Sequence, residues 1–255
     1  MRHWASSLLR TTAPGLWLDL KYRQYLNTHD GPNKGEPEIR LLELLVDPDK
    51  MAVDVGCHLG MYSRRLSELA TRVIAFEPNP ESARFLRRSL GRAVEVKPFA
   101  LSSRSGSAEM RIPAGQFALG TIEATNSLGG RAFETVKVEV RTLDSFHLSP
   151  VGFIKVDVEG HEEQVILGAL ETIIAQRPVL LVETEERHNP GALDRIRGLL
   201  EGHDFVGCFW RLGRFHGIER FRAREMQRLD AEPYTNNFFF IPRERRPAAI
   251  AEQLG

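Results

Sequence analysis

The sequence has no excess of either charge and very little cysteine. Lysine plus arginine and aspartate plus glutamate each number 34 among 255 residues, so no global field attracts nucleic acid or an anionic membrane. The two cysteines, Cys57 and Cys208, lie far apart without metal-ligand spacing. They are typical of reduced thiols in a cytoplasmic protein, with a disulfide as the alternative. We therefore expect a cytoplasmic location and no nucleic-acid partner.

Long apolar runs are also missing. The first twenty residues contain tryptophan and several leucines, but Arg10 and Pro14 interrupt them. This stretch is too broken for a signal-peptide core and too short for a membrane span. We expect residues 1–35 to form an arm or lid, a surface helix with exposed aromatic side chains that ends in the loop Asp30–Gly35. Weak membrane contact is an alternative.

A regular alternation of apolar runs and helical patterns is present instead. Strands, turns and amphipathic helices follow one another with short links, which is typical of a parallel sheet with helices on both faces. We predict an α/β, Rossmann-like fold with a mainly parallel, seven-stranded sheet in residues 36–242 and a tail in 243–255. The predicted strands are Met51–Val55, Arg72–Phe76, Val94–Ala100, Phe153–Val158, Pro178–Thr184, His203–Trp210 and Asn236–Pro242.

The alternation pauses in residues 102–150, where we predict a β insertion. Ala108–Ile112 and Thr135–Thr142 have strand character, and valines alternate with charged residues from Val136 to Val140. Such alternation indicates one buried and one wet face. Pro113–Gly130 lies between them and is rich in small polar residues. We predict a flap there, and flaps on a rigid scaffold often contact substrate.

Two later segments also carry predictions. Apolar residues at helical spacing predict one helix over Glu162–Ala175. The connection Arg211–Tyr234 is long and rich in arginine. We interpret its arginines as a solvated face, with contact to a sugar phosphate or an acidic glycan as the alternative.

The first predicted strand ends in a glycine turn that carries an acid. Asp54 precedes Gly56, and Gly60 follows just before a helical pattern. Glycines let the backbone approach a ligand, and a helix N-terminus presents free N–H groups. The turn lacks both the P-loop lysine and the G-x-G-x-x-G pattern of dinucleotide sites. An acid at this point suits a ligand ammonium better than a phosphate, although such a turn can also be merely structural.

A second acid follows the next predicted strand. Glu77 lies about twenty residues beyond the glycine turn, where an acid can accept both hydroxyls of a ribose. The alternative is an exposed glutamate at the entry of a helix that Asn79 caps and Pro80 begins. An ammonium site and a ribose site without a phosphate site between them fit S-adenosylmethionine.

Charged residues alternate along the fourth predicted strand of the sheet. Lys155, Asp157 and Glu159 lie on one side of an otherwise apolar segment. Buried charges are costly unless they are paired or functional. Their position at a strand end favours a site, and a Lys155–Asp157 pair that only fixes structure is the alternative. His161 begins the next helix, where catalysis is one interpretation and a cap or a packing role is the alternative.

Five blocks in this order and spacing resemble the FkbM family of methyltransferases. They are Asp54-Val-Gly-x-x-x-Gly60, Phe76-Glu-Pro-Asn79, Ala100-Leu-Ser102, Ile154-Lys-Val-Asp-Val-Glu-Gly-His-Glu162 and Pro178-Val-Leu-Leu-Val-Glu183. The resemblance implies the class I methyltransferase fold and S-adenosylmethionine as the donor. It also implies a hydroxyl acceptor on a sugar, a glycan or a polyketide-like natural product. Cys57-His58 departs from the Ala-Asn that the family often has.

The resemblance also implies roles for particular residues. The methionine portion would be held by Asp54, Gly56, Cys57 and Gly60, the ribose by Glu77 with Pro78 and Asn79 beside it, and the adenine near Ala100, Leu101 and Ser102. Asp157 would lie below the sulfonium. Because an alcohol loses its proton on methylation, a base is expected. The possible bases are Asp157, Glu159 and His161, with Glu183 as an outer partner.

Several alternatives remain at this point. A divalent ion held by these carboxylates could acidify the hydroxyl, but their spacing does not demand one, and we predict no metal. Methylation of nitrogen or of a carboxylate is a second possibility. A family member that binds the cofactor without catalysis is a third. A dehydrogenase is disfavoured because the dinucleotide pattern is missing.

Overall fold

The computed structural model describes residues 8–28, 36–113, 120–127, 130 and 132–254. Within these residues, eight strands form the main sheet and three form a second, smaller sheet. The strands are β1 Met51–Val55, β2 Val73–Phe76, β3 Val94–Lys97, β4 Ala100–Leu101, β5 Gly106–Pro113, β6 Phe133–Arg141, β7 Val151–Val156, β8 Val179–Glu183, β9 Phe205–Arg211, β10 Arg214–Gly217 and β11 Asn237–Pro242.

The main sheet has the order β10-β9-β11-β8-β7-β1-β2-β3. Strands β3, β2, β1, β7 and β8 pair in parallel, so their carboxyl ends lie at one edge. The chain leaves β1 toward β2 on one side and returns to β7 on the other. A ligand crevice is expected outside the strand ends at such a switch point. This arrangement confirms the predicted Rossmann-like, mainly parallel sheet.

The predicted count of seven strands was one too low, because β10 was missed. It pairs antiparallel with β9 through a tight turn at Leu212 and Gly213, where both residues have positive φ angles. Asn-Gly or Asp-Gly is the usual sequence for such a turn. Because leucine occupies the first position, the sequence did not indicate this turn, and Arg211–Tyr234 was predicted as a connection without a strand.

The predicted strand Val94–Ala100 is two strands in different sheets. β3 continues the main sheet beside β2, whereas β4 pairs with β6 of the insertion. Pro98 lies between them and cannot donate a ladder hydrogen bond. The break lets the chain leave the main sheet just at the edge of the crevice.

Helices cover both faces of the main sheet. They are α1 Pro14–Thr28, α2 Glu38–Leu45, α3 Met61–Leu69, α4 Pro80–Leu90, α5 Glu162–Leu167, α6 Leu170–Gln176, α7 Ala192–Glu201, α8 Ala223–Met226 and α9 Ala248–Leu254. One apolar core packs α1 to α4 on one face, and another packs α5 to α7 on the opposite face. None of the helices in the described part of the chain is long and apolar enough to cross a membrane.

The predicted helix Glu162–Ala175 is broken into α5 and α6 at Gly168. A Cβ atom at Gly168 would lie 2.0 Å from the carbonyl oxygen of Ser102. The carbonyl oxygen of Gly168 accepts a hydrogen bond from the backbone of Asp144. The two helices therefore bend around the chain that follows β4, which brings the start of α5 close to Ser102.

The helix of the N-terminal arm is part of the core, contrary to the prediction of exposed aromatic side chains. Trp17 is only 8% exposed and packs edge-on against Phe85 of α4 at 5.5 Å between ring centroids. Asp19 accepts a hydrogen bond from Arg64 of α3 at 3.1 Å. The loop Asp30–Gly35 lies outside the described residues.

The predicted insertion contains a small sheet with the order β4-β6-β5. Val138 and Val140 are buried, as their alternation predicted. Only residues 113, 120–127 and 130 of the predicted flap are described. Thr121 there forms an isolated bridge with Arg111 of β5. Cys57 and Cys208 are free and buried, so the disulfide alternative is wrong.

Candidate active site

A cleft of about 240 Å³ opens at the carboxyl ends of the parallel strands. Nine residues proposed from sequence lie along it, namely Gly56, Glu77, Pro78, Ala100, Leu101, Asp157, Glu159, His161 and Glu183. A neighbouring cavity of about 560 Å³ lies under α1 and is lined by Asp54 and Cys57. Gly56, His58 and Asp157 line both spaces, so the two spaces share one wall.

Three of the proposed residues have positions away from the two cavity walls. Gly60 precedes α3 with φ +83°. Asn79 caps α4 by accepting from the backbone N–H of Glu81 at 2.9 Å, which confirms the predicted cap. Ser102 donates to or accepts from His161, with 2.9 Å between Oγ and Nε2.

The glycine turn after β1 is pressed against the chain that leaves β7. Gly56 has φ +77°, and a Cβ atom there would lie 1.8 Å from the carbonyl oxygen of Asp157. Any side chain would therefore need the two segments to separate, and it would also strain the left-handed backbone. The close approach of the Gly56 backbone to Asp157 therefore fixes the position of the turn beside the loop after β7.

Asp54 is completely buried and only half satisfied. Its Oδ2 accepts a hydrogen bond from the Ser63 hydroxyl at 2.5 Å. Among the described residues, its Oδ1 has no hydrogen-bond partner. Burial raises the pKa of Asp54, while Lys155 and Ser63 act in the opposite direction. A buried acceptor without a donor is costly, so the neighbouring cavity offers a position for a donor group.

The predicted pair between Lys155 and Asp157 is present. Lys155 Nζ lies 2.8 Å from Asp157 Oδ2 and 4.5 Å from the centroid of the Tyr62 ring. Burial alone would lower the pKa of Lys155, but Asp157, Glu183 and Asp54 together raise it. The ammonium is therefore charged and holds Asp157, which still lines both cavities. The Lys155–Asp157 pair therefore stabilises the structure within the site itself.

Glu77 is buried, which excludes the alternative of an exposed helix-entry glutamate. It is 4% exposed and accepts a hydrogen bond from the backbone N–H of Asn79 at 2.9 Å. Burial raises its pKa to about 8, against the backbone hydrogen bonds of Asn79 and His58. The carboxyl lies at the end of β2 and faces the cleft.

Glu159 combines a strained backbone with a perturbed carboxyl. Its φ is +55°, and its carbonyl oxygen accepts from Thr121 Oγ1 at 3.0 Å and from Asn126 Nδ2 at 2.8 Å. Burial and the nearby charges of Asp157 and Glu185 raise its pKa to about 7. Its Oε2 lies 3.3 Å from Nδ1 of His188. A carboxyl that titrates near neutral pH can act as a base there.

His161 does not cap the helix that follows it. Its side chain forms no cap hydrogen bond, and Glu162 instead accepts from the backbone N–H of Gly160 at 2.8 Å. The His161 ring is held on both nitrogens, by Glu123 Oε2 at 3.0 Å from Nδ1 and by Ser102 Oγ at 2.9 Å from Nε2. The cap interpretation is therefore wrong.

The sequence did not indicate His58 or Glu123. His58 lies inside the glycine turn with φ +51° and lines both cavities. Burial lowers its pKa, while Asp157 acts in the opposite direction. Its place in the turn could have indicated it. Glu123 belongs to the insertion, and no pattern links it to His161.

The site is rich in carboxyl groups, and a bound cation would favour their charged form. The carboxylates along the two cavities outnumber the lysines among the described residues; they are Glu36, Asp54, Glu77, Asp157, Glu159 and Glu183, against Lys21 and Lys155. No group of three or more potential metal ligands occurs within the described ranges. An acidic cleft of this kind favours a cationic ligand over a polyphosphate.

The parallel sheet, its switch point and the crevice define a Rossmann-like methyltransferase fold. A solved structure of similar fold is methyltransferase FkbM from Methylobacillus flagellatus KT, with 17% identity and a TM-score of 0.50. That similarity covers 76% of this chain and 44% of that chain. The model of the methyltransferase FkbM domain matches residues 54–206, more than half of the sequence. The chain therefore belongs to the FkbM methyltransferase family, which confirms the resemblance seen in the motifs.

Curated proteins that are similar to this chain include two methyltransferases. The 2-O-methyltransferase NoeI of Sinorhizobium fredii is 26% identical over 193 residues, covering 68% of this chain and 79% of NoeI. The hexuronic acid methyltransferase AglP of Haloferax volcanii is 30% identical over 137 residues, covering 53% of this chain and 56% of AglP. The chain thus spans little more than half the length of AglP.

Proposed function

We propose that this protein uses S-adenosylmethionine to O-methylate a hydroxyl of a sugar or glycan. The observation that carries the proposal is the pairing of two buried acids around one glycine turn. Among the described residues, Asp54 has a buried oxygen without a hydrogen-bond partner and lines one cavity, and Glu77 lines the adjoining cleft. The first suits the ammonium of a methionine moiety, and the second suits the hydroxyls of a ribose.

The remaining walls fit the same donor. Pro78, Phe99, Ala100 and Leu101 give the cleft an apolar end beside Glu77, which suits an adenine ring. No lysine lies in the turn itself, so a pyrophosphate has no counterion there. The acidic surroundings favour the positive charge of a sulfonium. S-adenosylmethionine, when bound, supplies an activated methyl group.

The chain's own residues would prepare the acceptor. The bond from the acceptor oxygen to the methyl carbon forms as the bond from sulfur breaks, so the oxygen must lie in line behind the methyl group. The hydroxyl proton passes to a base. Asp157 is held by Lys155, and Glu159 and His161 follow it along the cleft. We assign Asp157 to positioning at the reacting centre and the loop after β7 to proton removal.

The sugar acceptor rests on the relatives. One is named a 2-O-methyltransferase and the other a hexuronic acid methyltransferase. Both names point to carbohydrate acceptors or to hydroxyl chemistry. The polar, acidic cleft accommodates hydroxyl groups through its carboxylate acceptors.

A labelled-methyl assay tests the proposal. The protein is incubated with S-adenosylmethionine labelled in its methyl group and a panel of neutral sugars, uronic acids and oligosaccharides. We expect label in a sugar product that survives alkali, because a methyl ether resists hydrolysis. Alkali-labile label would indicate a carboxyl methyl ester, and alkali-stable label located on a nitrogen atom of the product would indicate N-methylation. Either result would contradict O-methylation.

A further inference from the structure

The insertion reaches over to the loop after β7 and docks on it through residues 120–127, which we term the docked segment. Thr121 and Asn126 both donate to the carbonyl oxygen of Glu159. Thr125 Oγ1 donates to the carbonyl oxygen of His188 at 3.0 Å. The left-handed backbone at Glu159 is thus stabilised by two side chains from a distant part of the sequence.

The docked segment has anchors that do not depend on the Glu123 side chain. Arg111 of β5 exchanges two backbone hydrogen bonds with Thr121, at 2.9 and 3.0 Å. The Arg111 guanidinium donates to the carbonyl oxygen of Asn126 at 2.8 Å and also to that of Glu123. The segment therefore has enough contacts to dock whichever side chain residue 123 carries. The two oxygens of the Glu123 carboxylate divide their contacts: Oε1 accepts from the backbone N–H and the hydroxyl of Thr125 at 3.3 and 3.1 Å, and Oε2 contacts the histidine.

Glu123 and Ser102 determine the tautomer of His161. Burial would favour the neutral form of Glu123, but hydrogen bonds from His161 and Thr125 outweigh it and lower the pKa of this carboxyl. An ionised carboxylate only accepts hydrogen bonds. The proton of a neutral His161 ring must therefore lie on Nδ1, which leaves the lone pair on Nε2. Ser102 Oγ then donates to Nε2, so this nitrogen already accepts from a hydroxyl.

We propose that Glu123 is a positioning residue that holds His161 with Nε2 as the proton acceptor for the reaction. The inference rests on the proposed function and names the base within it. A hydroxyl of the acceptor that reached Nε2 would transfer its proton there while its oxygen bonds to the methyl carbon. The Nδ1–H···Glu123 hydrogen bond would stabilise the resulting imidazolium. The same division of roles orients the histidine in other acid–base sites.

The geometry favours His161 over its neighbours for this role. Asp157 is tied to the buried Lys155 ammonium. Glu159 lies next to His188, so its charge is shared with a second ring. His161 alone has an ionised carboxylate on one ring nitrogen and a hydroxyl on the other among the described residues. Its ring also lines the cleft.

The test combines spectroscopy with kinetics. Nitrogen-15 shifts of histidine-labelled protein report the tautomer, and His161→Ala identifies the His161 signals among the eight histidines. In the wild type we expect Nδ1 protonated and Nε2 unprotonated. Glu123→Gln should give a mixture of tautomers, because an amide can donate or accept. Its kcat should fall at least about tenfold, with smaller loss than removal of the base, and donor affinity should not change.

Three further variants make the test specific. Glu123→Asp retains a carboxylate and should recover the wild-type tautomer and part of the activity. Glu109→Gln removes an exposed glutamate from β5 of the same insertion and should leave the tautomer unchanged. Ser102→Ala should also keep Nδ1 protonated, because Glu123 remains.

The outcomes separate the positioning role from the function itself. A wild-type ring protonated on Nε2, or an unchanged tautomer and rate in Glu123→Gln, would overturn the role of Glu123. A wild type that shows the expected tautomer yet transfers no methyl group to any acceptor would instead overturn the proposed function.

Discussion

Replacing His161 with alanine is expected to abolish methyl transfer while leaving the affinity for S-adenosylmethionine within about tenfold, or ~1.4 kcal/mol. A general base contributes roughly 10²- to 10⁴-fold to such a rate. The donor pocket would survive, because Asp54 and Glu77 lie on other strands. Asp157→Asn should give the same separation of rate from affinity, since we assign Asp157 to positioning at the reacting centre.

The two variants differ in their effect on stability. Asp157→Asn leaves the buried Lys155 ammonium without its nearest carboxylate, and breaking a buried pair costs about 3–5 kcal/mol. Glu183 and Asp54 still favour the Lys155 charge, which limits this loss. The thermal stability of both variants should therefore be measured together with their kinetics. His161→Ala has no such complication and carries the test if Asp157→Asn unfolds.

Single-turnover assays measure the rate of methyl transfer, and calorimetry on the same preparations measures the affinity for S-adenosylmethionine. His147→Asn is the matched control, because His147 is exposed and has φ +49°, which asparagine tolerates. It should keep wild-type activity. Full activity in both His161→Ala and Asp157→Asn would place the base outside the loop after β7.

The second large effect is on donor binding. Glu77→Ala is expected to weaken S-adenosylmethionine binding about 100-fold, which corresponds to ~2.7 kcal/mol. Hydrogen bonds to a charged acceptor contribute about 1.5–3 kcal/mol each, and a ribose offers two hydroxyls. Glu81→Ala is the control, since it removes an exposed glutamate from the first turn of α4, the helix that follows Glu77. Unchanged affinity in Glu77→Ala would remove the ribose assignment.

Glu77 also predicts how binding depends on pH. Its pKa is raised to about 8 in the free protein, so the carboxyl is mostly protonated at neutral pH. Ribose hydroxyls donate to the charged form and favour it. Affinity should therefore rise with pH up to about 8 and then level off. Glu77→Gln should lose this rise, whereas titration of the ligand itself would affect both proteins equally.

Local sequence patterns predicted the site where its parts are contiguous. Each of three features occupies only a few consecutive residues: the glycine turn, the acid after β2 and the charged end of β7. Parallel strands bring these features to one edge of the sheet. The Asn79 cap was predictable for the same reason, because a cap acts over three or four residues.

Contacts between distant segments could not be predicted in this way. The split at Pro98 and the helix break at Gly168 depend on where the chain leaves the main sheet after β3, and the clash at Gly168 is with Ser102. Glu123 meets His161 only because the insertion folds back over the loop. Trp17 is buried because α1 packs on α4, a docking that composition alone does not indicate.

Calorimetric titration of the wild-type protein with S-adenosylmethionine, S-adenosylhomocysteine and NAD tests the central claim most directly. The proposed ammonium site at Asp54 and the proposed ribose site at Glu77 predict saturable binding of both sulfur nucleosides, one per chain, and none of NAD. Binding of NAD without binding of either sulfur nucleoside would contradict it.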